Sequence, residues 1–133
     1  TKTLSKITMT ARLLLVEDNP VNARLMCRRL ERSGYEVILA EDGEIAIALA
    51  LTESPQLILM DISLPTINGW EATQRLRNHP DTASLPIIAL TAHDSPEDHQ
   101  HCLNVGCNDY ATKPVDFNQL LEKIQKWLLA RVI

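Results

Sequence analysis

The sequence predicts one α/β domain in which five parallel strands alternate with five helices. Two runs of four apolar residues, 13–16 and 57–60, each lead directly into a carboxylate. Such runs are typical of strands that are buried on both faces of a parallel sheet. The segments between the strands begin with helix-capping residues. This alternation predicts a sheet with helices on both faces and right-handed crossovers.

The first strand and the first helix are predicted at residues 13–16 and 21–33. All four residues of the strand are Leu or Val. Asn19 followed by Pro20 is typical of a helix start, because Asn caps free backbone N–H groups and Pro suits the first helical position. Gly34 ends the helix.

The second strand, Glu36–Ala40, is short, and Asp42 then caps a helix over residues 43–52 that is rich in Ala, Ile and Leu. A Ser-Pro pair ends this helix. The third strand is Leu57–Asp61, which is predicted to be central because every residue before its acid is apolar.

The second half of the chain continues the same pattern. Asn68 opens a helix over residues 69–78, and residues 86–90 form the fourth strand, which closes with Thr91. Ser95 begins a Ser-Pro-Glu-Asp capping box for the fourth helix, which runs to Gly106.

The last strand and helix complete the domain. The fifth strand is Asp109–Thr112, and Asp116 caps the final helix. Its apolar residues fall at helical spacing and predict one buried stripe: Phe117, Leu120, Leu121, Ile124 and Leu128. At this length the flavodoxin-like strand order 2-1-3-4-5 is favoured.

Composition limits the function classes. The chain has 133 residues, 45% of them hydrophobic, 23% charged and a net charge of -4, which suits one domain with a full core and disfavours direct nucleic-acid binding. No apolar run approaches the roughly 18 residues of a membrane span. The odd cysteine count, three, favours reduced thiols and a cytoplasmic location.

Residues 1–10 are expected to be a leader or linker, and residues 11–130 are expected to form the domain.

Five polar side chains stand at strand ends. They are Glu17, Asp18, Asp61, Thr91 and Lys113. In the order 2-1-3-4-5, four of these strands are neighbours about 4.8 Å apart, and the carboxyl edge of such a sheet is where ligands bind. We therefore expect the five side chains to share one cleft.

The donor set predicts a chemistry. Three crowded carboxylates repel one another, and Mg²⁺ is a hard cation that takes a few carboxylates and is often completed by phosphate oxygens. Lys113 and Thr91 would face an anion across the cleft. One carboxylate can serve as a nucleophile in phosphoryl transfer, since an Asp with an ordinary pKa of about 3.9 is already ionised at neutral pH.

Four segments in chain order carry a family resemblance. They are residues 14–19 (LLVEDN), residues 59–65 (LMDISLP) with Gly69, residues 87–92 (IIALTA) and residues 109–114 (DYATKP). With these segments on successive strands, the chain resembles the receiver domain of two-component response regulators, over roughly residues 12–128. The resemblance implies a phosphorelay receiver that modifies only itself and is not an enzyme in the ordinary sense.

The resemblance assigns roles to the acids. Asp61 matches the phosphoacceptor, which takes a phosphoryl group from the phosphohistidine of a histidine kinase or a histidine phosphotransfer protein. Asp18 matches a direct Mg²⁺ ligand and Glu17 the second acid of the metal pocket. Ser63 stands where the family's backbone carbonyl binds the metal.

The family resemblance also assigns the residues of a conformational switch and the binding partners. Thr91 matches the hydroxyl that moves to the phosphoryl group, Tyr110 the aromatic switch that follows it, and Lys113 the phosphoryl-binding lysine, whose bond to Pro114 is usually cis. The expected partners are the phosphoryl donor and a downstream protein target. Direct binding to nucleic acid or a membrane is not expected, and the chain is expected to be a monomer or a weak dimer.

Other functions remain as alternatives. A pseudo-receiver would use the same fold only for binding. A haloacid-type phosphohydrolase would carry a second acid two residues after its nucleophile, where this chain has Ser63. A flavin or nucleotide binder would need a phosphate loop after the first strand, where residues 17–20 are acidic.

Two surface clusters have a plain and a functional interpretation. His93, His99, His101 and Cys102 include candidate ligands for a transition metal, but a solvated helix face is the favoured interpretation. The first helix also has a basic face, for which a role in solubility is the favoured interpretation. A docking surface for an acidic partner is the alternative. The four arginines of this face are Arg24, Arg28, Arg29 and Arg32.

Overall fold

The structure, a computed structural model, describes residues 10–132. The leader or linker predicted for residues 1–10 therefore lies, apart from Thr10, outside the described residues. The strands are β1 (Arg12–Val16), β2 (Glu36–Ala40), β3 (Leu57–Asp61), β4 (Ile87–Thr91) and β5 (Asp109–Thr112). The helices are α1 (Pro20–Arg32), α2 (Gly43–Glu53), α3 (Gly69–Arg77), α4 (Pro96–Val105) and α5 (Phe117–Val132). Predicted bounds agree to within a residue, except that α5 continues beyond its predicted apolar stripe.

All strand pairs are parallel, in the order β2-β1-β3-β4-β5, which confirms the predicted fold class. The register aligns the carboxyl ends of the strands. Val16 lies beside Met60, and Asp61 lies beside Leu90. The residues that follow β1, β3, β4 and β5 therefore emerge at one edge of the sheet.

Side chains alternate between the two faces of the sheet along each strand, so the core forms two layers. Leu13 and Leu15 of β1 belong to the layer that packs on α1 and α5, whereas Leu14 and Val16 belong to the layer on α2, α3 and α4. Successive strand side chains point to opposite faces, so a strand covered on both faces must be apolar throughout. Every residue of β3 is buried, as expected for the central strand.

Capping side chains position the loops at the carboxyl edge. Each predicted cap accepts a hydrogen bond from a backbone N–H of the first turn of its helix, and Ser95 completes its capping box with Asp98. These bonds satisfy N–H groups that would otherwise lack partners. The caps are Asn19, Asp42, Asn68, Ser95 and Asp116. The caps therefore fix where each helix begins after the strand that precedes it.

Cys27 is half-buried, Cys102 and Cys107 are buried, and all three are free thiols, as predicted. Burial raises the pKa of the Cys107 thiol to about 11, so this group is neutral at physiological pH. None of the helices in residues 10–132 combines the length and the apolar character that crossing a membrane requires.

Candidate functional site

Asp61 is the last residue of β3 and its side chain is 3% exposed. Its Oδ1 accepts a hydrogen bond from the backbone N–H of Ser63 at 3.0 Å. The same oxygen lies 3.0 Å from Lys113 Nζ. A buried carboxylate is costly unless it is hydrogen-bonded and paired with a cation. The two contacts meet that requirement and fix the orientation of the carboxylate.

Gly69 allows the β3–α3 loop to close against the end of β3. Its backbone N–H donates to the carbonyl of Ile62 at 3.0 Å. A Cβ at this position would lie 2.8 Å from Ile62 Cα and 3.0 Å from the Asp61 carbonyl carbon. Those distances are too short for any side chain, so glycine is required by close backbone approach.

Glu17, Asp18 and Asp61 form one cluster of carboxylates. Their oxygen atoms lie within 4.8 Å of one another. Glu17 is buried, and Asp18 is exposed. The backbone N–H of Asn19 donates to Glu17 Oε2 at 3.3 Å, which holds the acid against the start of α1. The structure thus brings together the three acids predicted to share a site.

The electrostatics of this cluster are those of a cation site. Burial, and next the hydrogen bond with Asp61, raise the pKa of Glu17 to about 7. The shift means that like charges are crowded in a place with little water. Three carboxylates at this spacing fit a hard divalent cation, which takes oxygen ligands and offsets their repulsion. The donor set therefore suits Mg²⁺.

Lys113 reaches the cluster from the loop after β5. Its backbone N–H donates to the Thr91 carbonyl at 2.8 Å, and its bond to Pro114 is cis, as the family resemblance implies. The side chain is 30% exposed, against 3% for its partner Asp61. An ammonium group therefore lies between the buried carboxylate and solvent, where it can meet an incoming anion.

Thr91 is the last residue of β4, the strand that pairs with β3, and is 1% exposed. Its hydroxyl oxygen accepts a hydrogen bond from the backbone N–H of His93 at 3.0 Å. The hydroxyl is thus engaged with its own loop in this structure. Because the hydroxyl is the acceptor of this bond, it still has its own proton to donate.

Tyr110 is half-buried on β5. Its ring stacks on His99 of α4, with centroids 3.8 Å apart and planes 18° from parallel. The interpretation of the α4 histidines as a purely solvated face was therefore wrong for His99. His101 is exposed, but it makes an edge contact with Trp70 at 4.2 Å.

The histidines and Cys102 do not form a metal site in this structure. His99 and His101 contact different aromatic rings, on β5 and α3 respectively, and Cys102 is buried in the core. Among residues 10–132, the acid cluster around Asp61 is the one group of three or more ligating side chains close enough to share an ion. The transition-metal alternative finds no support in this arrangement.

A groove of about 340 Å³ adjoins the acid cluster. It runs between α1 and the β5–α5 loop, and its lining combines apolar side chains with Arg29 and Lys113. Val21 and Leu25 of α1 are 62% and 55% exposed nearby on the same helix. The Arg29 guanidinium lies 4.2 Å above the ring of Phe117. One arginine of the basic face is thus anchored beside the groove.

Comparison with known sequences agrees with this geometry. The profile of the response regulator receiver domain matches residues 13–125. Protein PilH of Pseudomonas aeruginosa is 40% identical over 114 residues, which is 86% of this chain and 94% of PilH. The residues that match the family profile span the five strands, apart from Arg12, and the three acids of the cluster.

Two solved structures are similar over nearly the whole chain. The receiver domain of the sensor histidine kinase PA1611 of Pseudomonas aeruginosa PAO1, which has a magnesium ion coordinated in its active site cleft, is 39% identical with a TM-score of 0.83, over 90% of this chain and 98% of that one. A chain of the co-crystal of the Saccharomyces cerevisiae histidine phosphotransfer protein Ypd1 with the receiver domain of Ssk1 is 32% identical with a TM-score of 0.85, over 93% of this chain and 92% of that one.

Proposed function

The chain belongs to the response regulator receiver family and is a receiver of two-component signalling; on this premise we propose that Asp61 is the residue that accepts the phosphoryl group. The observation that supports this most directly is the setting of Asp61 itself. It is a buried carboxylate paired with Lys113 and clustered with two further acids. We further propose that residues 11–130 form the receiver domain.

The transfer step follows from the positions of these side chains. An oxygen of Asp61 attacks the phosphorus of a donor phosphohistidine, and a new O–P bond forms while the P–N bond breaks. The bonding electron pair leaves with the imidazole nitrogen of the donor. Lys113 moves its ion pair from the carboxylate to the phosphoryl oxygens, which carry the charge in the transition state. The chemistry of the chain is thus confined to its own phosphorylation and dephosphorylation.

Mg²⁺ would be held by four groups: the side chains of Glu17, Asp18 and Asp61 and the backbone carbonyl of Ser63. When bound, the cation offsets the negative charge of the acids and of the phosphoryl oxygens. The raised pKa of Glu17 supports this role, because burial and the neighbouring Asp61 disfavour the charged form of Glu17, and a bound cation would offset that cost.

Thr91 and Tyr110 form the proposed switch. The Thr91 hydroxyl leaves His93 and donates to a phosphoryl oxygen, and Tyr110 follows by changing its ring position. The phosphoryl group shifts the population only as far as it favours one state over the other. The face that contains α4, β5 and α5 then changes for a downstream protein.

The groove beside α1 is the proposed docking surface for the phosphoryl donor. Its lining includes Glu17 and Lys113 of the site, it combines apolar and basic side chains, and Leu25 is exposed along it. The similarity to a receiver crystallised with a histidine phosphotransfer protein supports a donor of that class or a histidine kinase. We propose a cytoplasmic protein that acts as a monomer or weak dimer through protein contacts, without direct binding to nucleic acid or membrane.

The test is phosphorylation by a small donor. We expect incubation with acetyl phosphate and Mg²⁺ to add one phosphoryl group by intact mass spectrometry, and chelation of the metal to prevent it. Asp61→Asn should abolish the addition, whereas Asp116→Asn, an amide change at an exposed helix cap, should not. Incorporation that persists in Asp61→Asn would contradict the assignment.

A further inference from the structure

The ring of Tyr110 is held from two sides. His99 of α4 stacks on the ring at 3.8 Å. Lys123 of α5 places its ammonium group 5.0 Å from the ring centroid. Stacked rings and a cation near a ring are attractive arrangements. The observed place of the ring therefore depends on side chains from two other elements of the fold.

The α5 side of this arrangement is firmly anchored. Lys123 Nζ lies 3.2 Å from Asp109 Oδ1 and also donates to the carbonyl of Tyr110. Trp127 Nε1 donates to Asp109 Oδ2 at 3.0 Å. Both carboxylate oxygens of Asp109 are thus used, and Lys123 has little freedom to move with the ring.

The α4 side is tied instead to the loop after β4. His99 Nε2 lies 3.2 Å from Asp94 Oδ1, a contact that is an ion pair when the imidazole carries a proton and that does not have the geometry of a hydrogen bond. The hydroxyl of Thr112 donates to the same Asp94 oxygen at 3.3 Å. Asp94 belongs to the loop that begins at Thr91, whose hydroxyl accepts the N–H of His93.

We propose that Asp94 and His99 are positioning residues that form a latch, which holds Tyr110 in its observed place and opposes the switch. This rests on the proposed function, in which Thr91 moves when Asp61 is phosphorylated. Movement of Thr91 displaces its loop and draws Asp94 away from His99. The imidazole then loses its fixed position over Tyr110, and the ring is released. The latch thus makes the two parts of the switch move together.

The expected size of the effect is small but measurable. The Asp94 side chain is 72% exposed, so water screens its pairing with His99. Pairs of this kind contribute modestly, and loss of the latch should shift the switch equilibrium about two- to fivefold. By linkage, a ligand that favours the switched state should bind more tightly by the same factor.

The test uses beryllofluoride with Mg²⁺, a stable mimic of the phosphoryl group, titrated by calorimetry against the full chain. We expect Asp94→Asn and His99→Ala each to raise its apparent affinity about two- to fivefold. His99→Phe keeps an aromatic stack without the pairing and should match Asp94→Asn. The effects of Asp94→Asn and His99→Ala combined should fall short of additive, since they remove one interaction. The control is His101→Ala, a change two residues after His99 on the same helix. It should leave the affinity for beryllofluoride unchanged.

A second readout separates the latch from the proposed function. In the protein without phosphoryl mimic, the Tyr110 ring resonances should shift in Asp94→Asn and His99→Ala, because the ring current of a fixed imidazole is lost. If the unaltered protein does not bind beryllofluoride, the proposed function fails, and the ring resonances still decide on the latch. Unchanged ring resonances in Asp94→Asn, or fully additive effects on affinity, would overturn the latch.

Discussion

Lys113 Nζ lies 3.0 Å from Asp61 Oδ1, so a cation from the end of β5 and a carboxylate from the end of β3 form one ion pair at the edge of the sheet. The carboxylate is 3% exposed and the ammonium side chain 30%. The pair is therefore open on the side of the lysine, which is the side from which a phosphoryl donor can approach.

Replacing Lys113 by Met should slow phosphorylation by acetyl phosphate at least about tenfold, equivalent to a loss of about 1.4 kcal/mol of transition-state stabilisation. The ammonium that meets the phosphoryl oxygens would be missing. The initial rate is measured by intact mass. Lys126→Met, an exposed change on α5, is the control. Equal rates for all three proteins would show that Lys113 has no part in transfer.

Mg²⁺ binding should weaken as pH falls through 7. The pKa of Glu17 is raised to about 7, and a proton on this acid competes with the cation. One such competition predicts about tenfold weaker apparent affinity at pH 6 than at pH 8, measured by calorimetry. Glu17→Gln should flatten this dependence. A pH dependence that is the same in the variant would assign it to another group.

The raised pKa of Glu17 also makes the stability of the fold depend on pH. The pKa of Glu17 is higher in the fold than its ordinary 4.5, so the folded state binds more protons than the unfolded chain between these values. The contribution of Glu17 is therefore fully present below 4.5 and lost as pH rises towards 7. Added Mg²⁺ should raise the melting temperature more at pH 8 than at pH 6.

Gly69→Ala should distort the site as well as destabilise the fold. The new Cβ would meet the backbone of Ile62 and Asp61, and overpacking of this kind costs about 1–3 kcal/mol. Gly34→Ala is the matched control. Gly34 has a φ of +97° but open space around it, so its substitution is strained far from the site. Both variants should lose stability in urea, but only Gly69→Ala should lose phosphorylation.

The fold and the cluster of acids could be predicted from the sequence because each rests on local pattern. Apolar runs mark strands buried on both faces, and strand order then decides which strand ends are neighbours. Glu17 and Asp18 follow one such run and Asp61 ends another, so their convergence required only the topology. That convergence is confirmed by oxygen atoms within 4.8 Å.

Side-chain orientation could not be predicted in the same way. The spacing of His99 and His101 shows that they leave the helix in different directions, but not that one meets Tyr110 and the other Trp70. The Thr91 hydroxyl is likewise turned to His93 by a bond within its own loop. The two histidine contacts depend on how α4 lies against β5 and α3, which no local pattern encodes.

Docking of a histidine phosphotransfer protein should depend on Leu25. This side chain is 55% exposed on α1, beside the groove that adjoins the acids. Leu25→Glu should reduce the rate of phosphotransfer from such a protein at least about tenfold, as expected for loss of an apolar anchor. Phosphorylation by acetyl phosphate should not change.

The control for this surface is Leu103→Glu on α4, where Leu103 is 43% exposed. It introduces the same charge on a different face and should leave phosphotransfer intact. Equal loss of transfer in both variants would mean that added negative charge, and not the α1 surface, is responsible.

The most direct test of the account is to locate the phosphoryl group itself. An aspartyl phosphate is an acyl phosphate, and borohydride reduces it to the alcohol, which leaves homoserine in place of aspartate. After reaction with acetyl phosphate and Mg²⁺, reduction and peptide mass mapping should find homoserine at position 61 and nowhere else. Homoserine at another acid, or phosphorylation that borohydride does not remove, would contradict the central claim that Asp61 is the acceptor.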